Sequence, residues 1–273
     1  MEWSLAQVMT AALLALAAAA ALLGMFFFAT TRAALLGRLW RQGELSARSR
    51  VYPVYTDPTL IRIVDHQPLI SGILLGQYGR LVDRIVAGMA EQDLKGRTVL
   101  VTACAFGNVV PRLAAAAAAW GAAKLQVVDL YQSELDRMRR KLKHLPPSTQ
   151  LDMVQADACA SGLPDASCDV NLLYFLLHEL PPAQQRVALD EACRVLRPGG
   201  RLYVGEFHRP HSRLLRMTGW VYFHVFEPWG LDVWNGGDPG DALARQPGMR
   251  VIAKHRVFGG NYQVVVAEKL PPA

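Results

Sequence analysis

The stretch Thr98-Val-Leu-Val-Thr102-Ala-Cys-Ala-Phe-Gly107 decides how this chain is read. Its first five residues are β-branched or apolar and carry no charge, which suits a strand buried on both faces. Its last five form a turn of small residues around one phenylalanine, closed by a single glycine. Behind the turn, Val110–Trp120 holds six consecutive alanines and reads as a helix. Strand, tight turn and helix together open a β-α-β unit. Such turns receive ligands because small residues let backbone amides come close to a bound group. Thr102, Ala103, Cys104 and Gly107 are therefore candidate ligand contacts. Alanine is less suited to this role than glycine, since it resists positive φ, and Phe106 adds a wall.

The same alternation runs on from there. Leu125–Asp129, Leu151–Gln155, Val170–Tyr174 and Arg201–Glu206 read as strands. Ser133–Leu142 and Ala183–Leu196 read as helices, the second stopped by Pro198-Gly199-Gly200. Met249–Phe258 and Tyr262–Glu268 are two further strands joined by Gly259-Gly260-Asn261, a hairpin signal. Ahead of the first strand, apolar spacing predicts helices near Ile61–Asp65 and Gly79–Ala90. The expected fold is α/β: a Rossmann-like, doubly wound, mainly parallel sheet with a C-terminal antiparallel hairpin.

An N-terminal transmembrane helix precedes it. No charge occurs from Trp3 to Thr31, and Leu5–Ala29 is almost wholly apolar, long enough to span a bilayer. The preceding residues carry Glu2 and no Lys or Arg, which favours a retained anchor over a cleaved signal. Arg32, Arg38, Arg41, Arg48 and Arg50 follow it, so the positive-inside rule puts the body on the cytoplasmic side of an inner membrane, single-pass. The proline-containing stretch Val51–Pro58 marks a boundary, giving an anchor with a basic segment over 1–50 and a folded domain over 51–273. The net charge of +6 is half used up in those first 50 residues, where five Arg face two Glu. The remainder has no basic stripe, so nucleic acid is not an expected partner. Cys104, Cys159, Cys168 and Cys193 have no metal spacing and read as reduced thiols.

Ligands of doubly wound sheets bind at the carboxyl ends of the strands. Asp129 stands at the second strand end, suited to ribose hydroxyls, with Leu130 beside it. Asp157 stands at the third, suited to an adenine amino group, with Ala158 beside it. Tyr174 ends the fourth strand. His178 and Glu179 follow it as an acid-base or metal pair, and Glu206-Phe207-His208 ends the fifth strand. The two clusters could converge on one site, where a hard divalent ion such as Mg²⁺ or Mn²⁺ would suit mixed carboxylate and imidazole ligands. The ligands themselves stay unassigned. Residues 211–235 are rich in aromatics and leave three readings open: a cover over a flat apolar substrate, a membrane-lying amphipathic helix with Arg213 and Arg216, or ordinary core.

Val-Val-Asp129-Leu, Gln-Ala-Asp157-Ala, Leu-Pro-Asp165-Ala-Ser-Cys-Asp169 and Leu-Arg-Pro198-Gly-Gly-Arg-Leu, in this order and spacing, resemble the class I S-adenosylmethionine-dependent methyltransferases. Against that pattern Val101 holds the usual acidic position, and Ala103 and Ala105 hold two glycine positions. A narrower set is similar to the rhodoquinone biosynthesis proteins: Leu-Val-Thr-Ala-Cys-Ala-Phe-Gly-Asn, Leu-Leu-Tyr-Phe-Leu-Leu-His178-Glu179, Glu-Phe-His208-Arg-Pro, Phe-Glu227-Pro-Trp-Gly-Leu-Asp232 and Phe-Gly-Gly-Asn-Tyr262-Gln. That resemblance implies S-adenosylmethionine as amino donor, ubiquinone as the lipophilic substrate, exchange of a methoxy for an amino group, and help from Mn²⁺. It also casts Asp129, Asp157 and Gly107 as cofactor contacts and His178, Glu179 and His208 as catalytic contacts. The alternatives are a methyltransferase for a quinone or lipid precursor, and a catalytically inactive membrane-associated relative. A dead site would have no reason to keep both Asp129 and Asp157.

Overall fold

The computed structural model describes residues 4–33, 58–104, 106–145 and 149–271. Helix α1 (Leu5–Phe28) begins at Ser4. The Ser4 hydroxyl accepts the Gln7 N–H at 3.3 Å, while the Ser4 N–H donates to Gln7 Oε1 at 2.9 Å. This reciprocal cap fixes the start of a helix that has no ion pairs to help it. It is the one described helix long and apolar enough to cross a membrane, and none of its most apolar window is buried within the protein. Its last turns do touch the body. Phe26 and Phe27 pack against the core, and the Phe27 ring lies 6.4 Å from Phe226. Arg38, Arg41, Arg48, Arg50, the expected boundary at 51–57 and Ala105 lie outside the described residues.

Three short helices lead to the sheet: α2 (Pro58–Val64), α3 (Gln67–Ile73) and α4 (Tyr78–Ala90). The sequence reading has two helices here; Pro68 in the first turn of α3 starts a separate one. Then follow β1 (Thr98–Thr102), α5 (Val109–Ala119), β2 (Lys124–Asp129), α6 (Gln132–Lys141), β3 (Gln150–Gln155), β4 (Cys168–Tyr174), α7 (Pro182–Arg194) and β5 (Leu196–Phe207). The seven strands are ordered β3-β2-β1-β4-β5-β7-β6. The first five are parallel, and the hairpin of β6 (Met249–Val257) and β7 (Tyr262–Lys269) adds antiparallel to β5. Strand order reverses between β1 and β4, which opens a crevice at their carboxyl ends.

Burial explains the layout. All seven β4 residues are buried, because both faces of this central strand are covered. Leu81, Ile85 and Met89 of α4, with Leu113 of α5 and Met138 of α6, cover one face of the sheet. Ala188, Leu189 and Ala192 of α7, with Leu243 of α10 (Pro239–Arg245), cover the other. At the opposite strand ends, Asp169 ties β4 to its neighbours. It accepts the Thr98 N–H at 2.9 Å and pairs with Arg197 at 2.6 Å. Gly199 and Gly200 do not end a helix, as the sequence reading has it. They lie inside β5, which starts five residues before the expected Arg201, and a register shift between Cys168 and Val170 absorbs the extra length. A side chain on Gly200 would come within 2.7 Å of the Asp169 carbonyl, so this crossing needs glycine.

Residues 211–235 form two helices and a turn, α8 (Arg213–Val225), Pro228–Gly230 and α9 (Leu231–Asn235), lying over the carboxyl ends of β4 and β5. One glycine sets how closely the wall of the crevice can pack. A Cβ on Gly205 would sit 2.8 Å from Tyr174 Cδ2 and 3.3 Å from Ile85 Cδ1. Gly205→Ala is expected to destabilise the full chain by about 1–3 kcal/mol through overpacking. A lowered denaturant midpoint at unchanged slope, measured in detergent, is the expected result; an unshifted midpoint would contradict the tight contact.

Candidate functional site

The crevice widens into a cleft at these strand ends. Its polar half sits over β1, β2 and β3. Asp129 ends β2 and is buried, and both its carboxylate oxygens accept backbone N–H groups: Cys104 at 2.7 Å and Tyr131 at 2.9 Å. Burial pushes its pKa up to about 6, against the pull of those two hydrogen bonds. Asp157 ends β3 and caps its own turn by accepting the Cys159 N–H at 2.8 Å, while also lining the cleft. Leu130, Ala158, Ala103 and Cys104 complete this end.

The turn after β1 takes a shape that its sequence makes costly. Ala103 adopts φ +75°, a left-handed conformation expected to cost about 1–2 kcal/mol for a residue with a Cβ. Alanine was expected to resist this; here the surroundings impose it. The Ala103 N–H donates to the Val128 carbonyl at 2.8 Å, and the next N–H lands on Asp129. Gly107 is held from the other side. Its N–H donates to Asp65 Oδ1 at 2.7 Å, and its carbonyl accepts Lys141 Nζ at 2.7 Å. The Tyr78 hydroxyl donates to the Phe106 carbonyl at 3.1 Å and accepts the Val109 N–H at 2.7 Å. Asp65 also pairs with Lys141 at 2.5 Å and with Arg137, which in turn binds Glu134. Burial raises Glu134 to about 7 in spite of the Arg137 charge, and burial lowers Lys141.

The apolar half lies over β4 and β5. Tyr174, Phe175, Phe207 and Tyr222 line it, and Phe175 sits edge-on to Tyr174 and Phe207 with ring centres 4.9 and 5.0 Å away. Phe175 has φ +53°, a second strained residue at a strand end, where strain accompanies function. The Tyr174 hydroxyl is buried in this wall and has no hydrogen-bond partner among the described residues. His178 lies beneath, fully enclosed by two carboxylates. Its Nδ1 is 2.8 Å from Glu206 Oε1, and its Nε2 is 3.2 Å from Glu227 Oε2. Burial works against a charge on the ring, but the two carboxylates override it and hold His178 well above the usual imidazole range. The Leu177 N–H at 3.0 Å and the Phe207 N–H at 2.7 Å fix Glu206.

Of the residues singled out in the sequence, Ala103, Cys104, Asp129, Leu130, Asp157, Ala158, Tyr174, His178 and Glu179 all line this one cleft. Three do not. Thr102 points into the sheet, where its hydroxyl donates to Asn171 Oδ1 at 2.9 Å. Gly107 faces Asp65, Lys141 and Tyr78. His208 turns toward the hairpin, with Nδ1 2.6 Å from the Gly260 carbonyl, so it does not converge with His178. Nor does His178 offer a free nitrogen, since both are occupied. The Mn²⁺ expectation does not fit these residues: no group of three or more His, Cys, Asp or Glu among the described residues is arranged to hold a metal. Sequence reasoning passed over Asp65, Tyr78 and Arg137, and named Tyr222 only within the aromatic stretch read as one possible cover over the site. Only Arg137 left a signal, three residues after Glu134 on α6; the others act across elements distant in the chain.

Residues 99–200 match the family model of a methyltransferase domain. The chain is 32% identical over 145 residues to the ubiquinone/menaquinone biosynthesis C-methyltransferase UbiE of Salmonella arizonae, covering 53% of this chain and 56% of that protein. It is 33% identical over 163 residues to the same-named protein of Syntrophotalea carbinolica, covering 59% of this chain and 64% of that one. The chain thus spans somewhat over half the length of these relatives. Among solved structures it resembles a SAM-dependent methyltransferase from Aquifex aeolicus, with TM-score 0.54 and 20% identity over 78% of this chain and 99% of that one. It also resembles the S-adenosylmethionine-dependent methyltransferase SibL in its apo form, with TM-score 0.59 and 18% identity over 78% of this chain and 62% of that one. The fold is therefore the Rossmann-like methyltransferase fold.

Two substitutions test the unusual turn in opposite directions. Ala103→Gly removes the left-handed strain and is expected to stabilise the full chain by about 0.5–1 kcal/mol, after the entropy cost of glycine. Asp65→Ala leaves half-buried Lys141 without its carboxylate and buried Arg137 with Glu134 alone, and is expected to cost about 1–3 kcal/mol. Chemical denaturation checks both. Equal stability of wild type and Asp65→Ala would show that the ion-pair network does not hold the turn.

Proposed function

We propose that this chain is a membrane-anchored, S-adenosylmethionine-dependent transferase acting on the ring of a lipophilic quinone. One observation carries the reading: a single cleft runs from two strand-end carboxylates, Asp129 and Asp157, into an aromatic chamber partly walled by Phe27 of the apolar helix α1. The polar half suits a nucleoside and the aromatic half a flat, apolar ring. The match to a methyltransferase domain and the likeness to quinone C-methyltransferases support the same assignment. In this reading α1 spans the inner membrane once. The basic residues after it keep the domain over 51–273 on the cytoplasmic side, where nucleoside cofactors are supplied.

The donor would supply either its sulfonium methyl group or the α-amino nitrogen of its methionine part. In the amino case the new ring C–N bond replaces a ring C–O bond, the methoxy group leaves as methanol, and the bond between that nitrogen and the donor's α-carbon must then break. Asp129 would accept the ribose hydroxyls and Asp157 the adenine amino group, with Leu130 and Ala158 against the base. Tyr174 has an uncommitted hydroxyl facing the join between the two halves. Glu179 and Glu227 line the chamber and are the carboxylates near enough to take a proton from the ring. His178 is a positioning residue: its ring, held between Glu206 and Glu227, aims Glu227 at the chamber.

Within this reading, amino transfer to give an aminoquinone is favoured over methyl transfer by the state of the turn. The Phe106 carbonyl and both backbone groups of Gly107 are already bonded to Tyr78, Asp65 and Lys141. The turn therefore has few groups left to grip the methionine end in the ordinary way. Incubating membranes holding the full chain with ubiquinone and donor labelled either in the methyl carbon or in the α-amino nitrogen separates the outcomes. Nitrogen label in a quinone product is expected. Methyl label instead would leave a quinone methyltransferase, and no label in any quinone would sink the proposal.

Donor binding is also expected to depend on pH. Asp129 takes up a proton near pH 6 in the free protein, whereas hydrogen bonds from ribose hydroxyls favour its ionised form. Affinity should thus be flat above about pH 6 and fall by up to tenfold per unit below it. Glu134 titrates nearby, so Asp129→Asn provides the control. It should weaken binding about ten- to hundredfold at neutral pH and remove most of the acid-side slope in calorimetry.

A further inference from the structure

We infer that α8 is a second membrane contact, lying in the headgroup layer beside the spanning helix and setting the mouth of the cleft against the bilayer. Helix α8 is two-faced. Phe223 is fully buried beneath it, and Gly219 lets it press onto Trp234, the indole standing 2.8 Å from where a Cβ would be. The opposite side is apolar yet exposed: Leu214 is 66% exposed, Met217 58%, Trp220 51% and Val221 42%. Leu214, Met217 and Val221 recur at i, i+3 and i+7, so they form one stripe, and Trp220 flanks it. Among the described residues of the folded domain, no other helix exposes four large apolar side chains.

Three observations identify a lipid surface as what covers this stripe. The first is position. Phe27 packs on Phe226 at the carboxyl end of α8, and a Cβ on Gly24 would lie 3.9 Å from the same ring, so α8 abuts the end of a helix built to cross a bilayer. The second is chemistry. A tryptophan at the edge of an apolar stripe, with Arg213 and Arg216 on the same helix, is the pattern of a helix resting among anionic headgroups. The third is consequence. Tyr222 of α8 and Phe27 of α1 both line the cleft, so a bilayer touching both helices meets the cleft at its aromatic half. A polyprenyl-type substrate could then move its ring from lipid into the chamber without passing through water.

The inference rests on the reading of α1 as an anchor, but it is read out by lipid contact rather than by turnover. Full-length protein and its Trp220→Phe variant are reconstituted in phosphatidylcholine–phosphatidylglycerol vesicles whose acyl chains are brominated either near the headgroup or near the chain end. The fluorescence difference between the two proteins isolates Trp220. Quenching of that difference by about twofold or more is expected, stronger with bromine near the headgroup. Leu214→Glu with Met217→Glu should reduce it while leaving the secondary structure intact, since both side chains are exposed. Three results would overturn the inference: no quenching in vesicles where α1 resists carbonate extraction, quenching unchanged in the double variant, or Trp220 shielded from an aqueous quencher yet untouched by brominated lipid, as a second copy of the chain would shield it. A quenched Trp220 in a protein that transfers nothing would defeat the proposed function and leave the membrane contact standing.

Discussion

The buried carboxylate of Asp65 is the interaction on which the polar end of the cleft depends. It stands just beyond α2, yet it holds Gly107 after β1 and pairs with Arg137 and Lys141 of α6. One anion thus fastens three parts of the chain that are distant in sequence. A buried cation without its partner costs several kcal/mol, so the network is held together by what its loss would leave exposed rather than by the net worth of the pairs. The turn it encloses has lost the glycines that would let it fold without strain. External clamps supply what local conformational freedom does not, and Ala103 remains left-handed between them.

The aromatic end of the cleft follows the same logic with the charges reversed. His178 is a cation held between two carboxylates, whereas Asp65 is an anion held between two cations. In each case the central group is used up in fixing its neighbours. This is why a histidine at a strand end, which reads in the sequence as acid-base machinery, acts here as a fixed charge beneath the chamber. Of its two carboxylate partners Glu227 lines the cleft, as do Glu179 and Tyr174, whose hydroxyl has no hydrogen-bond partner among the described residues. Phe175 and Phe207 wall the chamber with edge-on rings.

The apolar helix α1 is more than a tether. Its last turns are part of the folded body, with Phe27 set against Phe226 and into the cleft. Whatever orients α1 therefore orients the entrance to the chamber. A lipophilic ring and a water-soluble nucleoside would approach from opposite ends of one cavity, which separates the two binding problems by solvent as well as by residue.

The sequence by itself determined the strands, most helices and the order of the β-α-β units, because hydrophobic periodicity and punctuation by glycine and proline are local. It also determined Asp129 and Asp157 as cleft carboxylates, since position at a strand end follows directly from strand assignment, and it determined α1 from length and composition. It misplaced the entry to β5, where Pro198-Gly199-Gly200 reads as a helix stop but is absorbed into a strand by a register shift that only the neighbouring β4 dictates. The tertiary structure alone decided that Asp65, Tyr78, Arg137 and Lys141 converge on one turn, that His208 leaves the cleft, and that His178 is spent between Glu206 and Glu227. Those outcomes depend on distances between groups 28 to 76 residues apart, fixed by packing and by the cost of burying an unpaired charge, and neither is written in any local pattern.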